Sequence, residues 1–177
     1  MSDTKQGVFY ELGDYAGICR RMLIVVVDLT MMSIIFFGVL RAAQYSVFIS
    51  NMFGLCSFAA CYTYMAVLKA TPLGTIGYLI AGVRLSNLQG RRASIWRSSF
   101  RFGFFVLGPF NMLIDIIWLG GDPNRQSIRD KFAGTYVVRR TASPAGSGPI
   151  EYKLYLMFAY SLVFAEVNRT PKQPQDE

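Results

Sequence analysis

The stretch RRMLIVVVDLTMM, residues 20–32, places one carboxylate inside an apolar segment. Six apolar residues come directly before Asp28, and the next charged residue after it is Arg41. A segment with so few charges meets the roughly 20 residues that a helix needs to cross a bilayer. Because an ionised carboxylate within a bilayer costs at least ~2.5 kcal/mol, Asp28 should face protein or water.

The composition of the whole chain favours a membrane protein over a soluble one. Hydrophobic residues make up 53% of the 177 residues and charged residues only 16%, whereas an ordinary soluble domain carries roughly a quarter charged residues. No charge occurs between Ala42 and Leu68. We therefore predict an all-α membrane protein with two full transmembrane helices, at 18–40 and 47–68.

A third hydrophobic segment follows, and its middle is broken. Gly108–Pro109 interrupts it, because proline removes a backbone donor and clashes with the preceding helical turn. The two halves, 97–107 and 110–119, are each too short to span a bilayer. We predict a broken, re-entrant segment that enters and leaves from the cytoplasmic side, with a kinked third span as the alternative.

Four further segments complete the predicted organisation of the chain. Apolar and polar residues alternate around 82–95, which predicts a short surface loop or hairpin. The turn-rich stretch 141–149 is predicted to be a flexible linker. The apolar segment 150–167 has too short an uncharged core to cross, so an interfacial helix is expected. The polar tail 168–177 is expected to be disordered.

The distribution of basic residues predicts the topology. The chain from Lys69 to Arg101 holds six basic residues and no acidic one, which is typical of a cytoplasmic connection. The N-terminus then also lies in the cytoplasm, and the first apolar segment starts too late and runs too long for a cleaved signal peptide. The lipid bilayer and anionic headgroups are the expected partners. Nucleic acid is not, because the basic residues cluster beside apolar segments.

Arg21 and Asp28 are the first candidates for chemistry. Seven residues of helix bring them to one face, ~10.5 Å apart along the axis, so we predict an interfacial cation above an intramembrane carboxylate. Asp115 is a second acid in an apolar setting, and Arg97 and Arg101 are possible partners. Two interpretations stay open: these acids exchange protons or a small cation, or they only fix how helices pack.

Nothing in the chain indicates an enzyme, a metal or a cofactor. It contains no histidine and no Cys-x-x-Cys pair among its three cysteines, which leaves little for a zinc, haem or iron–sulfur site. No phosphate-binding loop and no Gly-x-Ser-x-Gly motif occurs. We expect a protein without catalytic residues.

Three stretches together resemble the RDD family of bacterial membrane proteins, which is named for one arginine and two aspartates. RRMLIVVVD supplies Arg21 and Asp28, and RQSIRDKFAGT supplies Asp130. TIGYLIAGVRLSNLQG is similar to the segment between them, although Tyr78 stands where most members have lysine. Its matching residues are Thr75, Gly77, Gly82, Arg84 and Gly90.

The resemblance implies a membrane domain over residues 1–140 of a multi-pass protein in a bacterial inner membrane. It also implies a transport-related role such as cation/proton antiport, because some members are associated with sodium or proton antiport. Arg21, Asp28 and Asp130 would then line the ion pathway. A homo-oligomer is expected, since two spans and a hairpin enclose little volume. The alternative is a structural or assembly subunit of a larger membrane complex that transports nothing.

Overall fold

The computed structural model describes residues 6–106, 110–122, 125–157 and 160–169. Within them the chain forms five strands, seven α-helices and one π-helix. The elements, in chain order, are β1 (Gln6–Phe9), α1 (Ile18–Ala43), α2 (Val47–Asn51), α3 (Phe53–Tyr62), the π-helix (Thr63–Leu68), α4 (Ile76–Ile80), β2 (Val83–Asn87), α5 (Ile95–Val106), α6 (Phe110–Gly121), α7 (Ile128–Ala133), β3 (Thr135–Arg139), β4 (Gly146–Met157) and β5 (Tyr160–Val167).

α1 is the longest helix and exposes most of its apolar surface. It has 26 residues, and its most apolar window has a mean hydropathy of 2.5 with only 11% of the window buried. Ile24 and Asp28 are its buried residues, whereas large side chains such as Phe37 are exposed. In the described part of the chain, α1 is the one helix long and apolar enough to cross a membrane.

The prediction of a second full transmembrane helix at 47–68 is wrong. The chain leaves helical geometry at Met52 (φ −106°, ψ 23°), between α2 and α3. α3 and the π-helix then continue as one apolar stretch, Phe53–Leu68, which at ~1.5 Å per residue falls short of a ~30 Å bilayer core. Composition alone did not distinguish a broken apolar segment from a continuous helix.

The all-α prediction is also wrong, because the described residues contain two antiparallel sheets. β2 pairs with β3, from Val83 opposite Arg139 to Asn87 opposite Thr135. The segment predicted as a short surface loop or hairpin at 82–95 contains strand β2, a turn at Gly90 and a returning chain that pairs with β2 through an antiparallel bridge between Ser86 and Arg92. Strand β3 has the sequence TYVVR, and β-branched and aromatic residues favour strands.

The apolar segment 150–167 is a β-hairpin, so the predicted interfacial helix is wrong. β4 pairs with β5 from Ile150 opposite Val167 to Met157 opposite Tyr160. Its aromatic and β-branched residues suit a strand, and period-2 alternation puts Tyr155 and Phe164 on the inner face. The outer face is apolar and exposed: Tyr152, Leu154, Leu156 and Val163.

β1 joins this hairpin at the start of β4, which gives a three-stranded sheet in the order β1-β4-β5. Residues Gly146–Pro149, in the stretch expected to be a linker, pair with Gln6–Phe9. Residues 170–177 of the expected disordered tail lie outside the described residues, as does the Gly108–Pro109 break in the third apolar segment.

Helices α5 and α6 double back on each other around α7. Arg101 on α5 contacts Asp130, and Asp115 on α6 contacts Arg129, the preceding residue of α7. α5 and α6 therefore both contact α7, the short helix that follows them in the chain. The buried core between α1, α4 and the β2–β3 ribbon contains Ala16, Ile24, Tyr78, Ala81, Val83, Leu85, Ala93 and Val137.

Candidate functional site

One face of α1 borders a small cavity. Arg21, Ile24 and Asp28 lie on this face, as expected for residues three, four and seven apart in a helix. The cavity has a volume of about 60 Å³, enough for water. Arg21 and Asp28 thus share one wall, but the structure gives each a different partner.

Asp28 is held by four donors from elements that follow α1. Its Oδ1 accepts hydrogen bonds from the Tyr64 hydroxyl at 2.9 Å and the Gly77 N–H at 3.1 Å. Its Oδ2 accepts from the Thr75 hydroxyl at 3.1 Å and lies 3.3 Å from the Lys69 ammonium. The residue is only 2% exposed, so protein groups replace the water that an ionised carboxylate needs.

The start of α4 is built to present its backbone to Asp28. Thr75 is the N-cap residue in extended conformation, and its hydroxyl accepts the N–H of Tyr78 at 3.4 Å. The first N–H groups of a helix have no partner within it. The Thr75 hydroxyl accepts the N–H of Tyr78, and the N–H of Gly77 donates to Asp28 instead. A Cβ on Gly77 would lie 2.6 Å from Oδ1 of Asp28 and 2.8 Å from the carbonyl oxygen of Ile24, so this approach requires glycine.

Sequence reasoning missed two ligands of Asp28, Lys69 and Tyr64. Tyr64 is buried in the π-helix, an irregularity frequent at functional sites. The Lys69 ammonium also lies over the ring of Tyr78, 4.7 Å from its centroid. Lys69 is the first charged residue after the uncharged run 42–68, and that position was the available signal.

Asp130 pairs with Arg21 and Arg101. Arg21 Nη1 lies 2.7 Å from Asp130 Oδ2, and Arg101 Nη1 donates to Oδ1. Asp130 also completes a capping box at the start of α7, because its Oδ2 accepts the N–H of Ser127 at 3.1 Å. Its side chain is fully buried.

Each of the three guanidinium nitrogens of Arg21 contacts a group other than Asp28. Its Nε donates to the carbonyl oxygen of Ala16 at 3.0 Å and its Nη2 to that of Arg125 at 2.8 Å. The remaining nitrogen binds Asp130. The first arginine and the second aspartate of the motif therefore form the pair, and the first aspartate binds Lys69 instead.

The secondary candidates are spread around this centre. Asp115 forms an ion pair with Arg129. Arg97 donates to the carbonyl oxygens of Ala133 and Gly134, at 2.5 and 2.7 Å, and so satisfies the C-terminal end of α7. Arg84 donates to the carbonyl oxygen of Ala142 at 2.9 Å.

The cavity beside Asp28 carries an excess of positive charge. Four basic residues line it, whereas Asp28 is the one acidic residue among its lining residues. Two of the arginines bind Asp130 and a third binds Asp115, so four cations face three carboxylates in all. The basic residues are Arg21, Lys69, Arg101 and Arg129.

Such a balance allows two kinds of chemistry at Asp28. The Lys69 ammonium can neutralise the carboxylate directly, as it does here. The carboxylate and two hydroxyls offer hard oxygen ligands to a cation if Lys69 moves away. The described residues contain no cluster of three or more histidine, cysteine, aspartate or glutamate side chains that could hold a metal ion.

The family model described as the RDD family matches residues 15–134, a range that includes Arg21, Asp28 and Asp130. Strands β1, β4 and β5 lie outside the matched range. No curated protein and no solved structure matches the chain.

Proposed function

The chain belongs to the RDD family of membrane-associated proteins, and on that premise we propose that it exchanges a proton for a small monovalent cation at Asp28. The observation that supports this proposal is a nearly fully buried carboxylate, beside a cavity, whose single cationic partner is a lysine at 3.3 Å. A buried carboxylate must be neutralised. A proton, a metal cation or the Lys69 ammonium can each neutralise the charge of Asp28.

The ligands around Asp28 suit a cation such as sodium. The Tyr64 and Thr75 hydroxyl oxygens lie within hydrogen-bond distance of the carboxylate, so all three groups can converge on one ion. A cation can enter only if Lys69 withdraws or loses its proton, because the cavity is already positive. One proton released for one cation bound would keep the charge of the site constant.

The proposal places α1 across a bacterial inner membrane, with the N-terminus in the cytoplasm. The exposed apolar surface of α1 and the basic residues from Lys69 to Arg101 support this orientation. A cavity of about 60 Å³ is a binding site and not a path. A complete path therefore requires a second copy of the chain or another subunit.

One observation favours the alternative, a structural or assembly subunit that transports nothing. Both oxygens of Asp28 are fully occupied, by Tyr64, Gly77, Thr75 and Lys69. A carboxylate satisfied in this way joins α1, the π-helix and α4, and polar residues in membrane bundles often have that role. Flux measurements separate the two functions.

The test is cation-dependent proton flux in proteoliposomes, for the wild type and Asp28→Asn. Sodium, lithium and potassium gradients are applied in turn, and internal pH is followed with a fluorescent dye. We expect flux with at least one ion and its loss in Asp28→Asn. Asp115→Asn is the matched control, because Asp115 is another buried acid paired with a cation but does not line this cavity.

Three outcomes decide the matter. Flux that is lost in Asp28→Asn and kept in Asp115→Asn supports exchange at Asp28. A wild type that moves no protons with any of the three ions ends the antiport proposal for those ions. If Asp28→Asn transports normally but melts at a lower temperature, Asp28 is a structural residue.

A further inference from the structure

A second cavity lies on the other side of Lys69. Its volume is about 190 Å³, room for several water molecules or for a tetrahedral anion. The chain between the π-helix and α4 forms one wall, and β2 with its following turn forms another. Pro72 and Arg92 are exposed, so the cavity is reached from the protein surface.

The lining of this cavity is basic and contains no acidic residue. Lys69, Arg84, Arg92 and Arg140 are among its lining residues, and every lining residue belongs to the described part of the chain. Lys69 is paired with Asp28 outside the cavity. None of the three arginines forms an ion pair with a described carboxylate, so no acidic residue in the described part of the chain compensates their charge.

The contacts of these arginines leave donors unused. Arg140 donates to the carbonyl oxygens of Pro72 and Leu73, which fixes it against the cavity wall. Arg84 donates from Nη2 to the carbonyl oxygen of Ala142, but its Nε is buried and has no hydrogen-bond partner.

We propose that this cavity binds a phosphate group. Arginine forks match phosphate oxygens in geometry and charge, and the absence of a carboxylate from the lining disfavours cations and amines. Either a phospholipid headgroup or a soluble phosphate would bring the same chemistry. Leu73, Leu79 and Ile80 are exposed and apolar, and each lies within two residues of a lining residue in the sequence; we propose that they contact the acyl chains if the ligand is a lipid.

The test compares Arg92→Gln with Arg91→Gln in the full-length protein, delipidated in a neutral detergent. Both arginines are exposed and adjacent in sequence, but only Arg92 lines the cavity. Binding is measured by titration calorimetry in about 0.15 M salt, which screens surface charge. The probes are inorganic phosphate and monomeric dioctanoyl phosphatidylglycerol, with dioctanoyl phosphatidylcholine as the net-neutral lipid.

We expect at least one anionic probe to bind the wild type and to bind Arg92→Gln roughly tenfold more weakly, the loss expected for one charge-assisted hydrogen bond. Arg91→Gln should bind as the wild type does. Arg84→Lys, which keeps the charge and loses the guanidinium fork, should also weaken binding. Preference for phosphatidylglycerol assigns a lipid headgroup, and preference for inorganic phosphate assigns a soluble ligand.

Two results would overturn the proposal. One is a wild type that binds neither anionic probe, or that binds phosphatidylcholine equally well. The other is equal weakening by Arg91→Gln and Arg92→Gln, which would mean that general surface charge attracts the anion.

Discussion

The two buried aspartates of the motif differ in the residues that neutralise them. Asp130 binds two arginines, which stay charged near neutral pH. Asp28 binds one lysine and two hydroxyls. In the function that we propose, Asp28 exchanges this lysine for a cation, whereas Asp130 keeps its arginines.

Gly77 offers a test of the Asp28 site that leaves every charge in place. In Gly77→Ala the new Cβ would meet Asp28 and the Ile24 carbonyl at 2.6 and 2.8 Å, so α4 must shift away from α1. We expect a loss of about 1–3 kcal/mol in stability, as for overpacked cores. Thermal unfolding in detergent measures it.

Gly103→Ala is the control for that substitution. Gly103 lies in α5, and a Cβ there would meet nothing within 4 Å. Alanine in an open helical position is neutral or stabilises by about 0.5–1 kcal/mol. Equal melting temperatures for Gly77→Ala and the wild type would show that α4 does not press against Asp28 as described.

At the scale of elements, α7 fastens the C-terminal hairpin to the rest of the molecule. Lys131 on α7 is 2% exposed and lies 2.6 Å from Asp122 Oδ1. Its ammonium also contacts Glu166 on β5 and the Tyr155 hydroxyl on β4, the latter at 3.1 Å. Opposite charges on α7 and β5 therefore hold a hairpin that the family match does not cover.

This cluster predicts how stability depends on pH. Burial raises the pKa of Glu166. Hydrogen bonds from Lys131 and Tyr155 lower the same pKa and outweigh burial, so it lies below its ordinary value of 4.5. Burial lowers the pKa of Lys131, but hydrogen bonds to Asp122 and Glu166 raise it above 10.5. The Glu166 contribution is present above pH 4.5 and lost as pH falls through the lowered pKa. The Lys131 contribution is present below pH 10.5 and lost as pH rises through the raised pKa.

Glu166→Gln should therefore melt at a lower temperature than the wild type near pH 7, by about 1–3 kcal/mol in stability. The difference should shrink as the pH falls below 4.5 and through the lowered pKa of the wild-type carboxylate. The control is Glu151→Gln. Glu151 lies opposite Glu166 in the register of the hairpin, but its side chain is exposed. A difference that stays constant from pH 7 to pH 3 would contradict the role of charge.

The sequence predicted the location of α1 and of the three motif residues. It did not predict which charged residues pair with one another or which segments form strands. Charge counting located α1, and the family pattern located Arg21, Asp28 and Asp130, because each signal is local. The pairing of Arg21 with Asp130 joins residues 109 positions apart, and no local pattern contains it. The segment 150–167 was taken for a helix because its low charge was weighed above its β-branched and aromatic content, although strands carry the same composition.

At the scale of the whole molecule, the sheets constrain the route of the chain. β1 precedes α1 and pairs with β4, and β2 pairs with β3. Strands that pair must lie on the same side of a membrane. If α1 crosses, the chain must therefore return between Ala43 and Val83, where α2, α3 and the π-helix form a broken apolar segment and not one membrane-length helix. By the same argument, the chain from 95 to 121 begins and ends on one side.

Cysteine accessibility tests this route. Cysteines introduced at Gln89 and Ser143 should react with an impermeant maleimide only after cells are permeabilised, whereas one at Tyr45 should react in intact cells. All three positions are exposed. The native Cys19, Cys56 and Cys61 are first replaced by serine. Labelling of Gln89 and Ser143 from opposite sides would be incompatible with the β2–β3 and β1–β4 pairing.

The pairing of β1 with β4 also has a consequence for the order in which the molecule is made. Gln6 precedes Pro149, its partner, by 143 residues, so it leaves the ribosome long before Pro149 is made. Every described helix is synthesised while β1 still lacks its neighbour β4, and an unpaired strand edge is a site of wrong association. β1 has only four residues, which limits that risk during the time before β4 has been made.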